Sequence, residues 1–221
     1  MKKIIAIIPA HNEENTVEKV IIPLQKFTDQ IIVVDDRSED KTAKIAKKRG
    51  AIVISNVSKL GPSKSLDIGI RKALKLNPDI LVTIDADGQH PVNIVPNFIK
   101  LIKKQKFDVV VGCRKELPRI TEVLFSYYST KKIGVKDPIN GLKAFKKEVI
   151  LKIGYFDKLD SMTSEILFES YINKFKIYNY PIEVYERKDK PRLGGVLLAN
   201  IKMFIALLKV FKKYTLKIWK K

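Results

Sequence analysis

The sequence predicts an α/β fold built on a mostly parallel central sheet flanked by helices. Three observations predict it. Short apolar, β-branched runs alternate with segments of helical period, recurring every ~25 residues through the first half of the chain. Such alternation calls for parallel strands joined by right-handed crossovers. Three of the runs end in polar or acidic loops, at Asn12 and Glu13, at Asp35 and Asp36, and at Asp85 and Asp87, and in a parallel sheet those ends share one edge. The 221 residues, 45% of them apolar, supply an ordinary core for one large domain, or one domain with an appendage.

Residues 3–8 read as the first strand. Its apolar run superficially resembles a signal peptide, but it breaks at Pro9 and leads into the polar loop Pro9-Ala10-His11-Asn12-Glu13 with no small-residue cleavage site. A helix follows from Thr16 to about residue 27, with Thr16 or Asn15 as its cap and Pro23 kinking or ending it. Residues 30–34 are the second strand, closed by Asp35, Asp36 and Arg37. Ser38 or Asp40 caps a helix that Gly50 stops. Residues 51–55 are the third strand. Gly61-Pro62-Ser63 opens a helix that carries Lys64 in its first turn and ends at Asn77-Pro78. Beyond the fourth strand come a helix over 94–104, a strand over 108–113 that leads to Arg114, and a stretch over 115–136 with no clear period. Asp137 to Gly141 is a turn, 142–145 a short strand, 147–153 a helix, 164–175 a helix, and 177–185 a strand.

The fourth strand, 80–84, ends on Asp85-Ala86-Asp87-Gly88-Gln89-His90-Pro91. Residues i and i+2 of an extended chain point the same way, so Asp85 and Asp87 can converge. Two readings fit: a plain turn, with Asp and Gly in their usual roles, or a carboxylate pair holding a hard divalent cation whose other positions phosphate oxygens fill. Acids gathered at one rim of a chain with net charge +19 repel one another unless a cation or hydrogen-bond donors offset them.

The charge itself favours an anionic partner without choosing among nucleic acid, acidic lipid and phosphorylated substrates. Arginine contributes seven of the 43 basic residues, so most of the excess is lysine on the surface. The single cysteine, Cys113, leaves no internal disulfide framework and fits a reducing compartment. Two histidines and one cysteine leave little for a structural zinc site. From Gly195 onward the chain forms a separate element, giving the division 1–194 and 195–221. Phe204, Leu207, Leu208, Phe211 and Ile218 share one helical face, with Lys202, Lys209, Lys213, Lys217 and Lys220 opposite. With Trp219 near its end, this helix suits an anionic membrane surface; the competing reading is a helix packed on its own domain. No stretch is long and uninterrupted enough for a convincing span; the expectation is a peripheral protein on the cytoplasmic face of a membrane, or a cytoplasmic one if the C-terminal helix packs on its own domain.

Pro9-Ala10-His11-Asn12-Glu13, Val33-Val34-Asp35-Asp36-Arg37-Ser38, Asp85-Ala86-Asp87-Gly88-Gln89-His90-Pro91, Val111-Gly112-Cys113-Arg114 and Asp137-Pro138-Ile139-Asn140-Gly141-Leu142-Lys143-Ala144-Phe145 occur in that order. Together they resemble a family 2 glycosyltransferase of the dolichyl-phosphate mannose synthase type, over roughly residues 3–193. The resemblance implies a GT-A nucleotide-sugar-binding fold. It implies that Pro9, His11, Asn12, Glu13, Asp36, Lys64 and Asp85 bind the nucleotide, and that Asp85, Asp87 and Gln89 hold Mg2+ or Mn2+. Asp87 and Arg114 would be catalytic, with Arg114, Arg187 and Arg192 at the acceptor phosphate. The chain departs from the family at His11, where Tyr or Phe is usual, at Asp189 and Pro191 in the basic loop, and in a shorter 115–136 segment.

The implied reaction is an inverting, metal-dependent transfer from GDP-mannose or a UDP-sugar to a polyprenyl or dolichyl phosphate. Such an acceptor is already mostly ionised near neutral pH and needs positioning more than a base. A sugar hydroxyl acceptor would need one, and Glu165 or Glu169 would be available. A phosphatase of the haloacid-dehalogenase type shares strand-Asp-x-Asp-Gly, but there the motif opens the chain and Thr follows the Gly. A nucleic-acid binder would account for the charge and not for the five motifs, so no nucleic-acid partner is expected.

Overall fold

The computed structural model describes residues 2–104, 106–185 and 195–219. Its first half is β1 (Ile4–Ala10), α1 (Val17–Leu24), β2 (Gln30–Asp35), α2 (Thr42–Lys48), β3 (Ile52–Ser55), α3 (Pro62–Leu74) and β4 (Ile80–Thr83). After a 3-10 turn at Val92–Ile94 come α4 (Val95–Lys103), β5 (Val109–Arg114), α5 (Ile120–Ile133), β6 (Lys143–Lys146), α6 (Lys147–Ile153), α7 (Glu165–Ile172), β7 (Ile177–Ile182) and α8 (Gly195–Trp219). The seven strands form one sheet in the order β3-β2-β1-β4-β6-β5-β7. All neighbours are parallel except β6, which runs antiparallel to both β4 and β5.

Every residue of β1 is buried, because helices cover both faces of the sheet. Ala6 and Ile8 face a layer made by α1, α2 and α4, where Val20, Ile21, Ala46 and Phe98 pack. Ile5 and Ile7 face the opposite layer, where Leu66, Phe125, Ile150, Phe168 and Tyr214 pack. α3 lies so close to the sheet that a Cβ on Gly69 would come within 2.5 Å of Ile7 Cγ2.

The chain leaves β1 toward β2 and β3 and then returns to its other side as β4, so the sheet switches direction at β1. In open α/β sheets the crevice at such a switch, beyond the carboxyl ends of the strands, is where ligands bind. The antiparallel β6 starts at that same edge, with Lys143 opposite Thr83. The turn that precedes β6 is thereby carried over the end of β4, and Thr83 Oγ1 donates to the Gly141 carbonyl at 2.8 Å.

Two stretches differ from the sequence reading. Residues 120–133, which show no clear period, are a helix. Its buried positions include Glu122 and Ser129, while Ile120, Val123, Leu124 and Tyr127 face outward, so the usual contrast between faces is lost. α8 is packed on the rest of the molecule through Ala199, Met203, Ala206, Val210 and Tyr214. The split into an apolar and a lysine face is corrected accordingly. Leu207 and Ile218 pack against the core, and Lys213 and Lys217 turn inward, pairing with Glu165 at 2.5 Å and Glu169 at 3.1 Å. The Trp219 side chain and Lys220 lie outside the described residues. Among the described residues no helix is long and apolar enough to cross a membrane.

Candidate active site

The loop after β1 is fixed from the side of β2. Asn12, at φ 55, bonds to both Ser38 and Glu39: its backbone N–H donates to Ser38 Oγ at 2.9 Å, and its side-chain Oδ1 accepts from the Glu39 N–H at 2.8 Å. His11 Nδ1 meets the Asp36 carbonyl at 2.9 Å and Nε2 meets Lys59 Nζ at 2.8 Å. An ammonium only donates, so Nε2 is the acceptor and Nδ1 carries the proton. Asp36 is nearly buried, which by itself would raise its pKa. Hydrogen bonds from the Leu60 N–H, Asn56 Nδ2 and the Gly61 N–H outweigh the burial and hold it below the usual carboxylate range. Asp36 thus orders the loop that opens α3.

β4 ends at Thr83, so Asp85 and Asp87 are not carried on an extended strand; Asp87 sits in the turn that follows, and both line the same cavities. The Gln89 N–H donates to Asp87 Oδ1 at 3.0 Å, closing the turn. The Asp85 side chain opens on the cavity at 38% exposure, yet the surrounding protein penalises its charge: burial first, and then the charge of Asp87, raise its pKa. His90 and Lys143 oppose that rise. His90 Nδ1 lies 3.7 Å from Asp85 Oδ2 and, among the described residues, has no hydrogen-bond partner. Gly141 sits against the same carboxylate so closely that a Cβ there would overlap it.

Two cavities meet at this pair. One, about 370 Å³, is lined by Pro9, His11, Glu13, Asp36 and Lys59 together with Asp85 and Asp87. The other, about 210 Å³, is lined by Gln89, His90, Arg114, Arg119 and Glu122 together with the same two aspartates. Of the nucleotide residues implied by the sequence, the first cavity brings together Pro9, His11, Glu13, Asp36 and Asp85. Asn12 is outside its lining, and so is Lys64, which is exposed on the first turn of α3; the lysines at the cavity are Lys59 and, from α8, Lys202. Gln89 reaches the second cavity while its amide nitrogen meets the Tyr185 carbonyl at 3.4 Å. Arg187 and Arg192 lie outside the described residues.

Arg114 is held more tightly than the sequence suggests. Its Nε and Nη2 donate to the two oxygens of buried Asp137 at 2.8 and 3.1 Å, and its Nη1 lies 3.5 Å from Glu122 Oε2. Burial opposes its charge, and these two carboxylates more than restore it. Arg119 Nη1 donates to Glu122 Oε1 at 2.6 Å, so Glu122 sits between two guanidinium groups at the cavity wall. Sequence reasoning missed Glu122, Arg119 and Lys143. Lys143 is fully buried on β6, donating to the Asn140 carbonyl and, at 2.7 Å, to Thr163 Oγ1. Burial pushes its pKa down to about 8 against the pull of Asp137, Asp85 and Asp157. By contrast, Glu165 and Glu169 line neither cavity; their carboxylates accept from Lys213, Lys217 and Tyr214 of α8.

Among the described residues no three or more His, Cys, Asp or Glu side chains form a metal-ligand cluster. Two carboxylates facing a cavity, one carrying a disfavoured charge, suit a cation whose remaining positions are filled by phosphate oxygens.

Comparison with known proteins agrees with this geometry. The sequence model of glycosyl transferase family 2 matches residues 5–154. The UDP-N-acetylglucosamine–dolichyl-phosphate N-acetylglucosaminyltransferase of Methanococcus voltae is 31% identical, covering 94% of this chain and 95% of that protein. The dolichyl-phosphate hexose transferase of Haloferax volcanii is 26% identical, covering 88% and 90%. The crystal structure of glucosyl-3-phosphoglycerate synthase from Mycobacterium tuberculosis in complex with Mn2+, UDP and glucosyl-3-phosphoglycerate superposes with a TM-score of 0.76 at 21% identity, covering 96% of this chain and 80% of that one. That likeness establishes a GT-A-like fold. With the family model spanning β1 through α6 and a near-full-length relative above 30% identity, the chain belongs to glycosyltransferase family 2.

Proposed function

We propose that this glycosyltransferase moves a sugar from a nucleotide diphosphate sugar to a polyprenyl or dolichyl phosphate, with inversion at the anomeric carbon and with Mg2+ or Mn2+ as cofactor. The observation that carries the reading is that Asp85 and Asp87 line both cavities. The larger, bounded by Pro9, Glu13 and Asp36, takes the nucleotide. The smaller, bounded by Arg114 and Arg119, takes the acceptor phosphate. The sugar then lies at the junction. A phosphate oxygen of the acceptor attacks the anomeric carbon, the bond to the donor diphosphate breaks, and its electron pair stays on the departing nucleoside diphosphate.

Asp85, Asp87 and Gln89 would hold the cation, which supplies positive charge beside the leaving diphosphate as its negative charge grows. Arg114, locked by Asp137, presents a rigid guanidinium rather than a mobile one, and rigid donors cost less reorganisation as charge shifts. Glu122 keeps the two arginines side by side. The acceptor phosphate needs no base, and Glu122, a further carboxylate lining the smaller cavity, is held by Arg119. UDP-N-acetylglucosamine is the first donor to try, given the near-full-length relative that uses it by name. GDP-mannose is the second, since the dolichol-phosphate mannosyltransferase of Pyrococcus furiosus is 29% identical over 67% of this chain. An acceptor of this kind resides in a bilayer, so the enzyme works peripherally at a membrane surface, with residues 195–221 contributing to the contact.

The test is transfer of labelled sugar into the organic phase from each donor, with polyprenyl phosphate as acceptor, with added Mg2+ or Mn2+ and with chelator. Product from one donor, abolished by chelation and by Asp87→Ala, is expected. Transfer only to a hydroxyl acceptor would overturn the acceptor assignment.

A further inference from the structure

α8 reaches the active site through two consecutive residues. Met203 is buried and lines the smaller cavity, and Lys202 lines the larger one. Neighbouring Cα atoms are about 3.8 Å apart, so Lys202 stands beside the junction of the two cavities. This part of the helix is fixed in place. Thr121 Oγ1 of α5 donates to Asn200 Oδ1 at 2.6 Å and lies 3.6 Å from Met203 Sδ. The far end is tied down by Lys213 on Glu165 and Lys217 on Glu169. α8 is therefore a wall of the donor cavity as well as a surface helix. The helical period alone puts Lys202 on a lysine face; the packing of Ala199 and Met203 on either side of it turns that edge of the helix toward the site.

The charges in the larger cavity give this lysine a task. Four carboxylates line the cavity, Glu13, Asp36, Asp85 and Asp87, and its two lysines are Lys59 and Lys202. Lys59 Nζ is engaged by His11 Nε2 at 2.8 Å, and His11 is held in turn by the Asp36 carbonyl. Lys202 differs from Lys213 and Lys217 of its own helix: it is exposed, and among the described residues no carboxylate pairs with it. A lysine ammonium is a compact charge with three donors on a flexible stem. A nucleoside diphosphate carries more negative charge than one divalent cation offsets, so a metal on Asp85 and Asp87 leaves charge for a second cation to meet.

We propose that Lys202 is a catalytic residue whose ammonium donates hydrogen bonds to the terminal phosphate of the donor's diphosphate. When the bond from the anomeric carbon to the diphosphate oxygen breaks, its electron pair stays on that oxygen. The added negative charge then falls beside the lysine, which keeps its own proton. Charge-assisted donors of this kind bind the leaving group more strongly than the intact donor, and that difference accelerates the step. The inference rests on the larger cavity holding a nucleotide diphosphate sugar. It adds a residue that belongs to none of the five sequence motifs.

The test compares Lys202→Gln, Lys202→Arg and Lys209→Gln with the wild type. Lys209 is exposed on the same helix and lines neither cavity. Melting temperatures without ligand confirm that each variant folds. Dissociation constants are measured by calorimetry for UDP, UMP, GDP and GMP with Mn2+, and turnover with a short, water-soluble polyprenyl phosphate. Lys202→Gln is expected to weaken the diphosphate that the wild type takes by about tenfold, and the matching monophosphate far less. Its kcat/KM for the donor should fall by at least as much, with the KM for the acceptor unchanged. Lys202→Arg should recover most of both losses, and Lys209→Gln should match the wild type. A purely structural role would weaken mono- and diphosphate alike.

Diphosphate affinity retained in Lys202→Gln, or equal losses for the two nucleotides, would overturn the assignment. A raised acceptor KM with diphosphate affinity intact would also overturn it, and would hand the lysine to the acceptor phosphate. Failure of the donor reading is distinguishable: neither UDP nor GDP would bind the wild type, and this inference would fall with it.

Discussion

Gly141 and Lys143 show how single residues set the aspartate pair. The carboxylate of Asp85 occupies the space a side chain at position 141 would need. Gly141→Ala is therefore expected to lower transfer activity by at least tenfold. Its stability cost is about 1–3 kcal/mol, the usual range for overfilling a packed site, read as a melting-temperature loss beside the rate. Lys143 acts through charge. Its pKa is pushed down from 10.5 to about 8, so the unfolded chain binds that proton more tightly than the folded protein. The destabilisation from this group is thus complete below about pH 8 and is relieved as pH rises from about 8 to 10.5. Denaturant titrations at pH 8 and pH 10 should show the wild type gaining on Lys143→Met across that window. A constant difference would contradict the assignment. Asp85 and Asp87 were legible in the sequence because the end of an apolar strand is a local signal, although the strand stops at Thr83 and a turn, not i, i+2 extension, carries Asp87. Lys143, Arg119 and Glu122 were not, because their partners come from other segments: Lys143 meets Thr163, and Glu122 meets Arg114.

At the scale of elements, the strand–helix alternation through α4 was legible, since each strand is continuously apolar and each helix begins or ends at Gly, Pro or Asp. α5 was not, because Glu122 and Ser129 face inward and isoleucine, valine and leucine face out. α8 was legible as a helix but not in its orientation, which depends on Glu165 and Glu169 of α7. The Glu165 carboxylate is fully buried and accepts from the Lys158 and Leu159 N–H groups at 2.5 and 2.7 Å as well as from Lys213. Glu165→Ala removes the acceptor of the Lys158 and Leu159 N–H groups and one of the two carboxylates facing Lys213, and should cost about 3 kcal/mol, a fall of roughly 6–12 °C in melting temperature. Proteolysis within α8 should accelerate in the same variant. Leu208→Asp, on the outward face, should leave the melting temperature nearly unchanged.

At the scale of the whole molecule, the fold gathers acids in one place. A chain of net charge +19 collects Glu13, Asp36, Asp85 and Asp87 at the carboxyl edge of its sheet, around the switch at β1. Exposed Lys59 and Lys202 line the same cavity, while Lys209 and Lys212 of α8 lie beside an apolar face. In the proposed reaction the acidic edge is where a cation and a diphosphate would offset each other. The edge could be read from the sequence, since parallel strands align their ends. The second cavity could not, since it needs the antiparallel β6 and the inward face of α5. The central claim is that Asp85 and Asp87 hold a nucleoside diphosphate through a divalent cation. The most direct measurement is the melting temperature of the full chain with UDP or GDP, with and without Mn2+ or Mg2+, in the wild type and in Asp87→Ala. Ligand at a hundredfold its dissociation constant stabilises the fold by about 2.7 kcal/mol, a rise of roughly 5–10 °C. The account predicts that rise with one nucleotide, only when the metal is present and only in the wild type. The same rise without metal, or undiminished in Asp87→Ala, would contradict it.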